Sequence, residues 1–507
     1  MAKFKPCNYD QIVMLPISLQ NQLVPGTLEY TINELVENHI DLSVFEGRYQ
    51  NDDTGATAFN PRILLKIILF AYSRGMISSR QIEQACVENI IFMALCCGYA
   101  PDHSTIAHFV SSMQKEIESI FSNILLVCEE LDLLGGTHFS LDGVKLSANV
   151  SKEWSGTFKE LKNKRDKLQS KLQQVLSEHI RSDNQPEFEL ERQKKQEKRL
   201  QSQVERLNQF LQEQKPKSGR DGKEIQSNVI DNQSVKMPTS HGVIQGYNAQ
   251  ALVDAKHQII LAAESFSSQD HENLAPMLAG AKKNILAIGK EETYFQGKQL
   301  TADSNYHCYD SLALCQAEDI DAYIPDIQFR KRDERFAEQQ RFKDGLHPRQ
   351  RQARKSGTFT AADFSFDAAK QIYLCPQGKE LTCHARNQHN RYRTYDIYHA
   401  RQEDCARCPL RPRCLSTPNS SRRYLSIRVD QQKPNLIDEM KAKIDTPQGK
   451  QIYAKRLGIV EPVFANICVQ KHMNRFTLRT KSKVDVQWRL FALVHNIGKI
   501  HSFGSLH

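Results

Sequence analysis

Apolar residues recur at helical spacing through the first quarter of the chain. Asn60-Pro61 opens an apolar run that ends at Gly75, which is typical of a helix with proline in its first turn and glycine after its last. Ser78 and Ser79 precede a second predicted helix that continues to about Gly98. Further helical spacing up to residue 134 predicts a helical module over residues 1–135. A DNA-binding helix-turn-helix and a plain helical bundle fit this pattern equally well.

The apolar period changes at residue 137. Residues 137–148 alternate as a strand, and Gly135-Gly136 marks the break before it. Residues 157–215 are polar, with apolar positions that step by three and four, and Pro186 interrupts them. This spacing predicts two helices in an antiparallel coiled-coil hairpin, which we interpret as an arm inserted into a larger domain.

Strand patterns resume after the arm. Two alternating runs flank residues 255–258 and predict a hairpin over 246–266, followed in order by a helix, a strand, a helix and a strand. An antiparallel beginning and an alternating end predict an α/β fold with a mixed sheet. Residues 331–430 lose this regularity and are predicted to form an insert, whereas residues 431–507 are again helical. Pro462 predicts a helix start or kink at Glu461.

Composition narrows the class of protein. The 507 residues are 40% hydrophobic and 25% charged, as in ordinary globular proteins. The most apolar stretch, residues 90–100, is too short to span a bilayer, and the first residues lack a signal-peptide core. We therefore expect a soluble, cytoplasmic protein with reduced thiols.

The net charge of +9 conceals an uneven distribution. Residues 330–355, 386–423 and 450–483 carry +6, +6 and +7, which leaves about −10 for the rest of the chain. The second stretch has nine Arg and no Lys, with tyrosines between them. Arginine with aromatic residues suits contact with phosphates and bases, so we expect nucleic acid as the partner. Solvated loops beside acidic neighbours are the alternative.

Four cysteines in the predicted insert have the spacing of a metal site. Cys375, Cys405, Cys408 and Cys414 follow the pattern C-x29-C-x2-C-x5-C, in which the close pair would place two thiolates on one ion. Cys383 and His384 are possible substitutes. Four protein ligands leave no open position, so the predicted Zn²⁺ would be structural. Free thiols in a loop are the alternative.

Three acids occupy positions that suit catalysis. Asp142 lies in an apolar strand, Asp303 directly follows another strand, and Glu461 lies in a basic helical stretch. Each has a structural alternative: a turn at Gly143, a helix N-cap, or a surface ion pair, respectively. Their joint placement around one predicted sheet instead suggests oxygen ligands for Mg²⁺ or Mn²⁺. Asp254 and Asp270 are the rival acids.

These motifs resemble the DDE transposases of bacterial insertion sequences, in the cut-and-paste branch with a ribonuclease-H-like core. The blocks SLDGVKLSA, LTADSNYH and YAKRLGIVEPVFANI are similar to the three acidic blocks of that family. The resemblance implies a helical N-terminal DNA-binding domain (1–135), a catalytic core in two parts (136–330 with the arm 157–215, and 431–507) and a basic, cysteine-containing insert (331–430). It also implies that Asp142, Asp303 and Glu461 are catalytic and bind Mg²⁺.

The third acidic block departs from the family pattern. Tyr453 and Arg456 fit the expected Tyr-x2-Arg spacing, but four residues rather than three separate Arg456 from Glu461. The lysine expected six residues after the glutamate is Cys468 here, and the nearest lysine is Lys471. The resemblance implies DNA contacts by Tyr453 and Arg456, and we add Lys471 and Arg475 from the same basic stretch.

The activity implied is metal-assisted phosphoryl transfer on DNA, with cleavage at the element ends followed by strand transfer into a target. The expected partners are the terminal inverted repeats and target DNA, with at least a protein dimer assembled on them near the nucleoid. Two alternatives remain: a DNA-binding scaffold without activity, and a metal nuclease of the same fold without strand transfer.

Overall fold

A computed structural model describes residues 18–48, 57–181, 187–219, 222–239, 242–336, 338, 359–390, 393–415, 419–429 and 436–505. The chain divides into two compact units. The first comprises residues 1–302, 318–322 and 454–507, and the second comprises residues 303–317 and 323–453. Within the described ranges, no helix is both long enough and apolar enough to cross a bilayer.

The N-terminal part of the first unit is helical, as predicted. Asn60 accepts a hydrogen bond from the Arg62 N–H at 2.9 Å, and Gly75 after the helix has φ +74°. The predicted second helix is wrong in one respect, because Asn89 is extended and starts a new helix by accepting from the Ile91 and Phe92 N–H groups. The helices are α1 (Leu28–Glu34), α2 (Pro61–Ser73), α3 (Ser79–Glu88), α4 (Ile90–Leu95), α5 (His103–Ser111) and α6 (Glu116–Glu130).

Strand β1 (His138–Ser147) leads into the predicted arm. Helices α7 (Phe158–Arg181) and α8 (Glu187–Glu213) pack through an apolar cluster that includes Phe158, Leu161, Leu207 and Phe210. Pro186, which prompted the predicted break, lies outside the described residues. Four two-residue strands flank the arm: β2 (Ser155–Gly156), β3 (Lys217–Ser218), β4 (Glu224–Ile225) and β5 (Ser227–Asn228).

A six-stranded sheet forms the centre of the fold, and it is mixed as predicted. Strand β1 pairs antiparallel with β7 and parallel with β9. The strands run in the order β10-β9-β1-β7-β6, and β8 pairs with β7. The remaining bounds are β6 (Val235–Thr239), β7 (Gly242–Asp254), β8 (Ile260–Phe266), β9 (Gln299–Ala302) and β10 (Asp321–Tyr323). The predicted hairpin over 246–266 is confirmed as β7–β8, and helix α9 (Leu274–Ala287) follows it.

The last helix, Lys481–Phe503, joins the N-terminal helices to this sheet within the first unit. Its Asn496 side chain exchanges two 2.9 Å hydrogen bonds with the backbone of Ile260 in β8. Elsewhere on the helix, Phe491 stacks on Tyr72 of α2 with ring centroids 4.9 Å apart. A helix that is buried on several sides is expected to be apolar around its circumference, and this one has thirteen buried residues.

The second unit contains a sheet that the sequence did not indicate. The predicted irregular insert is wrong over 365–428, where five antiparallel strands follow chain order: β11 (Ser365–Asp367), β12 (Ile372–Leu374), β13 (Glu380–Asn390), β14 (Arg393–Ala400) and β15 (Tyr424–Arg428). Its buried core is small: Phe364, Leu381, Tyr398, Ala400 and Leu425. The unit also holds α10 (Tyr309–Ala317), α11 (Phe329–Arg332) and the helices Gln402–Ala406, Arg411–Cys414 and Leu436–Asp445.

The predicted helix start at Glu461 is also wrong, whereas the alternative of a kink there stays a prediction. One helix, Pro447–Phe464, continues through Pro462, and the turn that follows it widens into a π-helix over Ala465–Gln470. Proline removes one backbone donor and crowds the preceding turn, so a neighbouring change of helical pitch is a common accommodation.

Candidate active site and cysteine cluster

The first two predicted acids follow paired positions on two adjacent parallel strands. Leu141 of β1 is the register partner of Ala302 of β9. The next residue along β1 is Asp142, and the next residue in the chain after Ala302 is Asp303. Each aspartate is therefore the residue that directly follows one member of this register pair.

A buried polar layer precedes these acids, and the sequence interpretation missed it. His138, Ser140 and Asp142 alternate along β1 and therefore share one face. The Thr301 hydroxyl on β9 lies 2.5 Å from the Ser140 hydroxyl and 3.2 Å from Nε2 of His138. The available signal was the spacing His-x-Ser-x-Asp in an otherwise apolar strand.

Burial keeps the His138 imidazole neutral. Burial and, to a smaller extent, the positive charge of Lys455 together lower the pKa of His138 to about 4. Lys455 and Ile459 of helix 447–464 line an open cleft together with Thr137 and His138. The same helix therefore supplies positive charge beside the polar layer.

Arg456 contacts the first acid directly. Its Nη2 donates a 2.5 Å hydrogen bond to Oδ2 of Asp142, and the two side chains are 8% and 16% exposed. The other carboxylate oxygen of Asp142 accepts from the Gly143 N–H at 2.8 Å. A carboxylate this poorly hydrated needs a counter-charge, and Arg456 provides it.

Glu461 lies on a different side of the same helix. It is exposed, and at 3.6 residues per turn it is rotated by about 140° from Arg456. The residue of this helix that contacts Asp142 is therefore Arg456, and Glu461 projects in another direction.

Asp303 has the geometry of a helix cap. Its side chain accepts from the Asn305 N–H at 2.9 Å and starts the 3-10 helix Ser304–Tyr306. The other oxygen of Asp303 accepts from the Asn305 side-chain amide at 3.0 Å.

The two rival acids support the fold locally. Asp254 is fully buried and accepts from the backbone N–H groups of Gly135, Gly136 and Lys256 at 2.8–3.0 Å. Asp270 accepts from the side-chain amides of Asn248 and Gln250 at 2.7 and 2.8 Å. These contacts give both carboxylates a clear structural role.

The predicted DNA-contacting residues differ in exposure. Arg475 is exposed, whereas Lys471 is buried and donates to Asn466. Burial lowers the pKa of Lys471 to about 8, and Lys499 adds to this effect. Tyr453, in the second unit, packs edge-on against Phe329 with ring centroids 5.1 Å apart.

Cys375, Cys405 and Cys414 pack against the small core of the second unit, and the thiol of Cys408 lies near Cys414. Burial raises the pKa of Cys414, and the neighbouring thiols of Cys405, Cys375 and Cys408 add to this increase. Cys375 begins a tight turn in which the Gly378 N–H donates to the Cys375 carbonyl at 2.7 Å, with Gly378 at φ +71°. The backbone at Cys375 is therefore a tight turn closed by a glycine.

Neither predicted metal site has its ligands in a binding arrangement among the described residues. Across the described ranges, no three His, Cys, Asp or Glu side chains are arranged so that they could hold a metal ion. The donor types fit, since Asp142 and Asp303 offer hard oxygens and the cysteines offer thiolates. Metal binding at either place requires side-chain movement, which at Asp142 includes the Arg456 contact.

Comparison with known families gives two matches. Residues 374–501 match a family described as Transposase DDE domain, and residues 18–112 match a family described as Transposase domain. The first match spans the cysteine cluster, Arg456, Glu461 and the last helix. No curated protein matches the chain.

Proposed function

For this chain, which belongs to the DDE transposases of insertion sequences, we propose a cut-and-paste activity on DNA. Water cleaves the phosphodiester bond at each end of the element and releases a 3′-OH. That 3′-OH then attacks a phosphodiester bond of the target and displaces its 3′ oxygen. The observation that carries this proposal is the register of β1 and β9, which places Asp142 and Asp303 after paired residues of adjacent parallel strands.

We assign metal binding to Asp142 and Asp303, with a ribonuclease-H-like core as the framework. Mg²⁺ or Mn²⁺, when bound, activates the attacking oxygen and stabilises the leaving oxygen. The buried layer of His138, Ser140 and Thr301 orients the strand residues that precede the two acids. Arg456 forms an ion pair with Asp142. If a metal ion bound Asp142 in its place, the Arg456 guanidinium would be available to contact DNA phosphate.

Glu461 is our third proposed catalytic acid, and this assignment rests on the family resemblance. Its exposed position makes Glu461→Gln a clean test, because an exposed substitution changes folding stability little. We expect that variant to lose cleavage while its unfolding transition stays unchanged. Normal cleavage by Glu461→Gln would remove the residue from the proposed site.

The central test is Asp142→Asn, assayed with Mg²⁺ on duplex DNA taken from the flanks of the gene. Asparagine keeps the size of the side chain and removes its charge, so cleavage should fall by roughly a thousandfold. Binding to the same duplex should stay within a few-fold, since phosphate contacts come from the basic residues. Asp270→Asn, at the rival acid, should retain cleavage.

The products distinguish the alternatives. Joining of cleaved ends to a second DNA supports a transposase, and cleavage without joining indicates a nuclease of the same fold. DNA binding without any cleavage by the wild-type chain would indicate a scaffold, and full activity of Asp142→Asn would refute the catalytic assignment.

Three further assignments complete the proposal. The helical N-terminal part binds the terminal inverted repeats, with Tyr453, Arg456, Lys471 and Arg475 contacting DNA in the core. The active species is at least a dimer across paired ends, at the bacterial nucleoid. Cys375, Cys405, Cys408 and Cys414 bind one structural Zn²⁺, supported by the proximity of the other three thiols to Cys414.

A further inference from the structure

The sheet β11–β15 has one face that its own core does not use. Tyr398 of β14 pairs with Leu425 of β15, and both are buried, at 5% and 2% exposure. Successive residues of a strand point to opposite faces, so His399 and its register partner Tyr424 lie on the other face. Tyr424 is 52% exposed there, which is unusual for a large aromatic side chain.

Rings from three strands form a continuous row on this outer face. The imidazoles of His384 on β13 and His399 on β14 have centroids 4.7 Å apart. His399 and Tyr424 on β15 meet edge-to-face at 6.0 Å, and the Arg422 guanidinium lies 6.0 Å from the Tyr424 ring. Nδ1 of His399 is buried and has no hydrogen-bond partner among the described residues. We call His384, His399, Tyr424 and Arg422 the aromatic row.

The aromatic row lies in an arginine-rich stretch of the sequence, and one of these arginines, Arg422, borders the row itself. Residues 386–423 include nine Arg, no Lys and three acids. Burial lowers the pKa of His399, and the charges of Arg422, at the end of the row, and of His384 lower it further. The face therefore combines exposed π surface with fixed arginine charge.

This combination fits one class of partner. In duplex DNA the bases are stacked on each other, so side-chain rings on a sheet face reach only the backbone. In single-stranded DNA the base faces are free, and aromatic platforms flanked by arginine bind them without sequence preference. Aliphatic or acidic peptides would not use the rings in this way.

We propose that the aromatic row binds single-stranded DNA by stacking its bases on Tyr424 and His399 while Arg422 holds the adjacent phosphate. The proposal rests on the proposed function, because the processing of DNA ends is what would bring single strands to this surface. It adds a second DNA-contacting surface, in the second unit, with a specificity for strand state rather than for sequence.

The test measures fluorescence anisotropy of labelled oligothymidine with the full-length protein, without Mg²⁺. Tyr424→Ala should weaken oligothymidine binding about tenfold, because stacking on one base contributes on the order of 1–3 kcal/mol. Tyr424→Phe should keep wild-type affinity, since the ring remains. Binding of a duplex of equal length should change less than about twofold in both variants.

The matched control is Phe366→Ala, which removes an exposed aromatic ring (46%) from β11 of the same sheet but outside the row. It should leave oligothymidine binding unchanged. Equal losses for Tyr424→Ala and Phe366→Ala, or an unchanged affinity of Tyr424→Ala, would overturn the proposal.

Repeating the measurement with Asp142→Asn separates the two proposals. That variant should bind oligothymidine like the wild type even though it cannot cleave. Failure of the cleavage assay alone would therefore leave the aromatic row intact, and a lost Tyr424 effect alone would leave the active site intact.

Discussion

At the scale of single residues, the buried polar layer should make stability depend on pH. Burial lowers the pKa of His138 to about 4, below its ordinary 6.5, so the unfolded chain takes up a proton first as the pH falls. The free energy of unfolding should therefore decrease from about pH 6.5 to pH 4, by about 3 kcal/mol from this residue.

His138→Gln keeps a hydrogen-bonding side chain for Thr301 and cannot titrate. Urea unfolding at several pH values should show a flatter acid limb for this variant than for the wild type. His495, whose pKa burial lowers to about 3, titrates in both proteins and cancels in the comparison. Parallel curves for the two proteins would contradict the assignment of acid sensitivity to His138.

Arg456 should be more important to stability without divalent ions than with them. Arg456→Met leaves the poorly hydrated Asp142 carboxylate without its 2.5 Å partner, which should cost about 3 kcal/mol of unfolding free energy. If Asp142 binds Mg²⁺ as proposed, millimolar Mg²⁺ should recover much of that loss, because the ion replaces the missing positive charge.

Thermal unfolding with and without Mg²⁺ tests this prediction. The double variant Asp142→Asn/Arg456→Met is the control, since it lacks both charges and should neither suffer the full loss nor respond to Mg²⁺. An Arg456→Met protein that Mg²⁺ does not stabilise would argue against a metal site at Asp142.

At the scale of secondary structure, the sequence was most informative where one local signal dominated. Helix α2 has an Asn cap, a first-turn proline and a terminal glycine, and its bounds follow these signals. Asn89 was missed because the apolar period continues through it, although its side chain caps a new helix. Pro462 produced the opposite error, because it predicted a break where the helix continues. The π-helix that follows accommodates a residue that usually ends a helix.

The second sheet escaped prediction because its apolar signal is weak. Its apolar cluster has five buried members among the described residues, and two register shifts in β13–β14 disturb the alternation that reveals a strand. The contact between Asp142 and Arg456 in the candidate site could not be predicted from local sequence either, because the two residues are 314 positions apart. The sequence supplied both residues, but only the packing of helix 447–464 on β1 shows that they pair.

At the scale of the whole molecule, the two units differ in how they are stabilised. The first unit has a large apolar core that includes the last helix, with thirteen buried residues in that helix alone. The sheet of the second unit has five buried core residues, and the thiols of Cys375, Cys405 and Cys414 pack against them. Small cores commonly depend on a metal or disulfides for stability, so the sheet β11–β15 should depend on the proposed Zn²⁺.

Removal of zinc by a chelator should therefore loosen residues 365–428 while leaving the six-stranded sheet protected. Hydrogen exchange read by mass spectrometry resolves the two regions in one experiment, and metal analysis gives the zinc content.

Cys408→Ser should lose zinc and mimic the chelated state, because three thiolates bind the ion less tightly than four. Cys383→Ser, which changes a thiol packed on the same core outside the proposed ligand set, should keep both zinc and protection. A protein purified without zinc that still protects residues 365–428 would show that the small core is sufficient by itself.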